Sequence, residues 1–125
     1  MVLKRDFIFD HLVDGSPMLN PDVDVEITYE DIELGDSGYD ASGYYHRFIS
    51  RYGRRTWRFK YAILTKEEFV YLRSLFQEKK DFEFSYLDEE DYVLTVRAYC
   101  KPITVAYQSK RSGLYKNLTL EIIEC

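Results

Sequence analysis

The sequence predicts a mainly β fold of the α+β kind: two packed antiparallel β-sheets, as a sandwich or a partly closed barrel, with one α-helix packed against them. Three observations predict it. Segments with apolar residues at every second position recur along the 125 residues, punctuated by Gly, Pro, Asp and Asn. A single stretch, about 65–80, repeats its apolar residues at helical spacing instead. Aromatics make up 17% of the chain, twelve of them Tyr, a composition that suits strands and half-wet surfaces.

Residues 7–13 form a first short strand, closed by Asp14-Gly15-Ser16-Pro17, a turn by composition. Asn20-Pro21-Asp22 marks a second turn. Val23, Val25, Ile27 and Tyr29 then alternate with acids and Thr28, the pattern of a half-buried strand. Residues 35–43 hold three glycines in nine residues and read as a small polar loop. Strand-like runs at 44–52 and 56–64 flank Gly53-Arg54-Arg55, which predicts a hairpin with a basic tip. In the second run Trp57, Phe59, Tyr61 and Ile63 share one face, against Arg58, Lys60, Ala62 and Leu64 on the other.

The helix has a clear start. Thr65 and Glu68 are spaced as a capping box, with Leu64 and Phe69 placed to staple across it. Phe69, Leu72, Leu75 and Phe76 give the stripe to be buried, and Lys79 with Lys80 suit the negative end of the helix dipole. Beyond it, 82–86 and 92–99 form a second hairpin about an acidic turn at 87–91. A shorter strand at 103–107 and a closing strand at 115–123 complete the chain. No internal repeat or linker divides it, so residues 1–125 read as a single domain.

The net charge of −5 conceals segregation. Residues 22–40 carry eight acids and no base, whereas 41–64 carry six bases and no acid. Residues 81–91 return to six acids, and 97–116 hold five bases alone. Acidic and basic edges on opposite sides would let each copy dock head-to-tail on the next. The charged candidates for such a contact are Asp36, Asp40, Arg47, Arg51, Arg54, Arg55, Asp88, Glu89 and Glu90.

No motif for chemistry stands out. Gly35-Asp36-Ser37-Gly38 matches the nucleophile signature of chymotrypsin-like proteases, but a turn-rich loop accounts for the string, and only His11 and His46 exist as bases. The two His and two Cys lack metal-ligand spacing, and the acids of 22–40 lack the calcium-loop pattern. No phosphate-cradling loop precedes the helix. The sequence thus predicts no catalytic, cofactor-binding or metal residues, and no small-molecule substrate. Membrane contact is not expected either: no apolar run reaches the length of a span, and the first residues lack the layout of a signal peptide. Cys100 and Cys125 lie far apart, which suits a reduced compartment.

An alternative rests on 44–61, where Tyr44, Tyr45, Phe48, Tyr52, Trp57, Phe59 and Tyr61 interleave with bases. Stacking platforms beside a positive groove are what a single-stranded nucleic-acid-binding module uses.

The order of a Gly-rich Asp-Ser-Gly loop, a basic run ending Trp57-Arg58-Phe59-Lys60-Tyr61, and Leu64-Thr65-Lys66-Glu67-Glu68 resembles small tail proteins of long-tailed phages and prophages. Asp40-Ala41-Ser42-Gly43-Tyr44 and the later Gly113-Leu114-Tyr115-Lys116-Asn117-Leu118 are similar to the same uncharacterised group. Tyr39 stands where that group more often has Arg; the resemblance implies the 35–43 loop, Tyr39 with it, and the 53–55 tip as candidate subunit-interface contacts. The resemblance extends to the fold shared by tail-tube, tail-completion and distal-tail proteins. It implies a structural virion protein of the tail or baseplate hub, made in the bacterial host cytoplasm and without catalysis. It also implies assembly into a homo-oligomeric ring, commonly a hexamer, that docks to other tail proteins around a channel. DNA would then be passing cargo, which acids at 22–40 and 81–91 would let slide without sticking.

Overall fold

The described chain opens on a tight hairpin. Asp14 and Gly15 both take positive φ (49° and 84°), the backbone of a two-residue turn whose twist matches its strands. Ser16 and Pro17, assigned to the turn by composition, therefore already belong to the second strand. In this computed structural model the described residues are 5–33, 38–39, 43, 45–46, 49–109, 111 and 113–125, with only the backbone course given for 33, 38–39, 45–46 and 49–51. The elements are β1 (Phe7–Val13), β2 (Ser16–Leu19), β3 (Glu26–Glu33), β4 (Gly38–Tyr39), β5 (Tyr45–His46), β6 (Ile49–Thr65), α1 (Lys66–Phe76), β7 (Phe82–Leu87), β8 (Val93–Cys100) and β9 (Leu114–Glu124).

The fold is mainly β with one helix. Seven strands pair antiparallel in the order β2-β1-β7-β8-β9-β6-β3, and β4 with β5 makes a separate small ribbon. The mainly β, antiparallel expectation thus holds, and in place of two sheets of similar size the described strands form one large sheet and a small ribbon. The curvature of the large sheet follows from distances across its inner face. β6 lies three strands from β7 in the ladder, roughly 14 Å if the sheet were flat. Yet the Trp57 ring sits 4.7 Å from Phe84 and 4.8 Å from Tyr86. Tyr61 on β6 donates its hydroxyl to the Leu19 carbonyl on β2 at 2.6 Å, five strands away. The sheet must therefore roll up, with its aromatic face inside. Where β2 runs on toward β3, the Asp22 amide donates to the Lys60 carbonyl at 3.0 Å and the Asp22 carboxylate accepts from the Ala62 amide. That segment stitches one end of the sheet to the other.

The interior is aromatic: Trp57, Phe59, Tyr61, Phe82, Phe84 and Tyr86 are all buried. α1 closes it, starting at the predicted capping box. Thr65 Oγ1 accepts from the Glu68 amide at 3.3 Å, and Glu68 Oε1 accepts from the Thr65 amide at 2.9 Å. Leu72, Leu75 and Phe76 are buried, and Phe69 stacks on Tyr115 at 4.4 Å. The helix ends at Phe76, a turn short of the expected residue 80. Gln77 has left the helical region and Glu78 turns left-handed (φ 57°). Lys79 instead reaches Asp14 at 2.7 Å, so Arg73 is the cation of the last turn.

Three further expectations change. Gly53-Arg54-Arg55 is no hairpin tip, because β6 runs through it as one 17-residue strand. β3 supplies the reason: Glu30, Tyr29 and Thr28 pair in register with Arg54, Arg55 and Thr56, and the Asp31 carboxylate accepts from the Gly53 amide at 2.9 Å. Gly53, at φ 63°, lies where the β3–β6 register shifts and acts as a bulge. Ile63 is exposed and Leu64 buried, the reverse of the simple alternation. Asn117 in the neighbouring β9, at φ 57°, breaks the pleat there, and Leu64 turns inward beneath the helix. Residues 103–107 make only an isolated bridge, Ala106 to Lys116.

Two outcomes follow from this packing. Leu72→Ala should cost about 2–5 kcal/mol by opening a cavity under the helix, read as a shift in the urea midpoint. His11 is wedged between Phe59 (5.1 Å) and Phe84 (5.8 Å), its Nδ1 buried without a partner. Burial holds its pKa below the ordinary value, against a weaker opposing effect of Asp10. Neutral His11 thus contributes stability that is complete above about pH 6.5. It is lost as pH falls from there toward the depressed folded value. His11→Phe should lose less stability than the wild type between about pH 8 and pH 5, measured by denaturant titration at each pH.

Candidate functional site

β3 and β6 extend past the rest of the sheet. β9 pairs with β6 only from Thr56 onward, so among the described residues 49–55 pair with β3 alone. The result is a two-stranded arm at one end of the roll. Its outward-facing Tyr52 is 74% exposed.

The base of the arm is anchored at the rim. Arg55 lies over the rings of Tyr29 (5.9 Å) and Tyr86 (5.6 Å). Its guanidinium approaches Glu124 at 3.6 Å, and its amide donates to the same carboxylate at 3.2 Å. The Tyr29 hydroxyl in turn donates to Glu89 of the β7–β8 turn. The hydrogen bond from Tyr29 draws the Glu89 pKa down, and the same bond raises that of the phenol.

Of the interface residues predicted from sequence, the structure brings Arg55 and Glu89 together through Tyr29. Arg54 lies beside them on the outer face, 3.3 Å from Glu30. Asp88 and Glu90 stay in the β7–β8 turn, where Asp88 Oδ1 accepts from the amides of Glu90 and Tyr92 at 2.9 Å each. Tyr39 lies in β4 and Arg51 in β6, known by backbone alone. Asp36, Asp40 and Arg47 fall outside the described residues, as do most of the 35–43 loop and the protease-like string. Sequence reasoning missed Tyr29, Tyr86 and Glu124 as the cradle of Arg55. An acid closing the apolar run Ile122-Ile123 was the available signal.

The charge segregation resolves differently from the expected opposite edges. The acidic strand β3 is hydrogen-bonded to the basic strand β6, and their charges pair within the chain. Glu26 holds Arg58 at 3.1 Å and Lys60 at 3.3 Å. Arg58 also meets Glu121 at 3.0 Å, and Glu121 meets Lys101 at 3.1 Å. These cations, with their hydrogen bonds first, hold the Glu26 and Glu121 carboxyls below the usual range. Adjacent strands of opposite sign neutralise one another wherever the register sets them side by side.

The same geometry weakens the nucleic-acid alternative. Trp57, Phe59 and Tyr61 are buried in the core and offer no stacking face, while Arg58 and Lys60 are engaged by glutamates. Tyr44 and Phe48 lie outside the described residues. Among the described residues no cluster of three or more His, Cys, Asp or Glu is arranged for a metal, and no helix is long and apolar enough to cross a membrane.

Comparison with protein-family models, with curated proteins and with solved structures finds no match. Removing the rim cation separates local from global effects. Arg55→Ala removes the cation that Glu124 meets at 3.6 Å and that lies over Tyr29 and Tyr86, and should destabilise the chain by about 1–3 kcal/mol. Arg54→Ala, breaking an exposed pair, should cost under about 1 kcal/mol. Urea unfolding of both variants checks the difference.

Proposed function

We propose that the chain is a structural protein of the virion of a tailed phage or prophage. In this reading it is a ring-forming tail or baseplate-hub component, made in the bacterial host cytoplasm and carried in the tail. It acts by self-association and by docking to other tail proteins, with no substrate or cofactor, and DNA passes it only as cargo.

The observation that carries the reading is the arm. Two antiparallel strands without a third layer are marginal in water. Among the described residues this arm pairs with no third strand; it continues β6, bears the 74% exposed Tyr52, and has β3 as the last strand of its sheet. A neighbouring copy could dock on it, as strand edges and exposed aromatics commonly serve at interfaces. The Arg55–Tyr29–Tyr86 anchor fixes the angle at which the arm leaves the body, which a closed ring requires. The resemblance in 27–124 to small tail proteins supports the same assignment.

Light scattering across a concentration series tests it. The mass should rise from the 15.0 kDa of one chain toward a closed ring. Tyr52→Glu should weaken association about tenfold or more, and short oligonucleotides should neither bind nor alter the mass. A constant monomer mass at every concentration, with an oligonucleotide shift that fades as salt rises, would favour the nucleic-acid-binding alternative instead.

A further inference from the structure

The two ends of β8 carry features of opposite shape and charge. At its start, the β7–β8 turn presents Asp88, Glu89, Glu90 and Asp91 in succession, followed by Tyr92 (64% exposed) and Val93 (68% exposed). The turn is rigidly built: the Asp88 amide donates to the Tyr92 carbonyl at 3.0 Å, and the Asp88 carboxylate caps two amides inside it. It is a convex acidic knob with an aromatic beside it.

At the other end of β8 lies a concavity of about 460 Å³ between the end of α1 and the chain leaving the strand. Phe76, Pro102, Ile103 and the Cys100 thiol provide apolar lining. Burial pushes the thiol up to about 11, so it stays neutral there. Arg73, Lys79 and Lys101 stand around it against a single acid, Glu78. Lys79 and Lys101 are already held by Asp14 and Glu121. Arg73 makes no ion pair among the described residues, and it is exposed on the last turn of the helix.

We propose that the β7–β8 turn of one copy docks into this pocket on a second copy, with Tyr92 entering beside Phe76 and Ile103 and the turn carboxylates meeting Arg73. Geometry requires two copies. β8 has eight residues, and at about 3.4 Å per residue its ends lie roughly 23 Å apart. The knob of one chain therefore cannot reach its own pocket. The size fits as well, since the cavity falls in the range that accepts a large side chain. Such a contact is heterologous, so it repeats from copy to copy and builds a ring or a stack. This inference rests on the reading of the chain as a self-associating protein, and it names a contact separate from the arm.

Charge-reversal complementation on the full chain tests it. Arg73→Glu alone, and Glu90→Lys with Asp91→Lys alone, should each raise the self-association constant for dissociation about tenfold or more, followed by sedimentation velocity at about 0.1 M salt. An equimolar mixture of the two variants should recover association, because the reversed turn now meets a reversed pocket. Tyr92→Ala should weaken association, with no restoration by the Glu90→Lys/Asp91→Lys chain and pairing no further than a dimer with the Arg73→Glu chain. All these positions are exposed, and circular dichroism verifies that each variant is folded. Association unchanged in Arg73→Glu and Tyr92→Ala, or weakened without recovery on mixing, overturns the proposal. If Tyr52→Glu alone abolishes assembly while the pocket variants assemble normally, the arm reading stands and the turn-to-pocket contact falls. A wild-type chain that remains monomeric throughout defeats both.

Discussion

Closure of the rolled sheet depends on one cluster at the seam between β2 and β6. Arg5 and Asp22 face each other there in a bidentate pair, at 2.6 and 3.0 Å. The same guanidinium donates to the carbonyls of Asn20 and Ile63 and lies 5.5 Å from the Tyr61 ring. Its backbone amide donates to Glu68 at 2.9 Å, the carboxylate that caps the helix. A single side chain thus joins the start of the chain, the seam and the first turn of α1. Glu68 is only 2% exposed, yet its oxygens accept from two amides and face the Arg5 cation. That compensation is what makes a buried carboxylate tolerable.

Once the seam is shut, the rest is constrained. The aromatic face can only point inward, and Trp57 meets β7 across the interior instead of a second sheet. β6 is longer than the roll needs, so its surplus projects with β3 as the arm. The Arg55 cradle transmits the position of β9 and the β7–β8 turn to that arm through Glu124 and Glu89. Stability and the orientation of the proposed contact surface therefore share the same residues.

The charges show how register decides electrostatics. Read along the chain, acidic and basic blocks look like separate faces. Folded, Glu26, Arg58, Glu121 and Lys101 join in one run of ion pairs across β3, β6 and β9. Glu90, Asp91 and Arg73 lie outside that run of ion pairs.

The sequence by itself determined what rests on local energetics. The capping box of Thr65 and Glu68, the stripe through Leu72 and Phe76, the β7–β8 hairpin and the inward faces of Trp57, Phe59, Tyr61, Phe82, Phe84 and Tyr86 depend on residues close in sequence. Long-range pairing lies beyond such signals. That Gly53 bulges inside a long strand follows from the opposing register of β3, and that Leu64 rather than Ile63 turns inward follows from the left-handed Asn117 in β9. The rolling of one seven-stranded sheet, and the pairing of β3 acids with β6 bases, were decided by tertiary structure alone, because a strand's pattern records which side is apolar but not which strand will lie beside it.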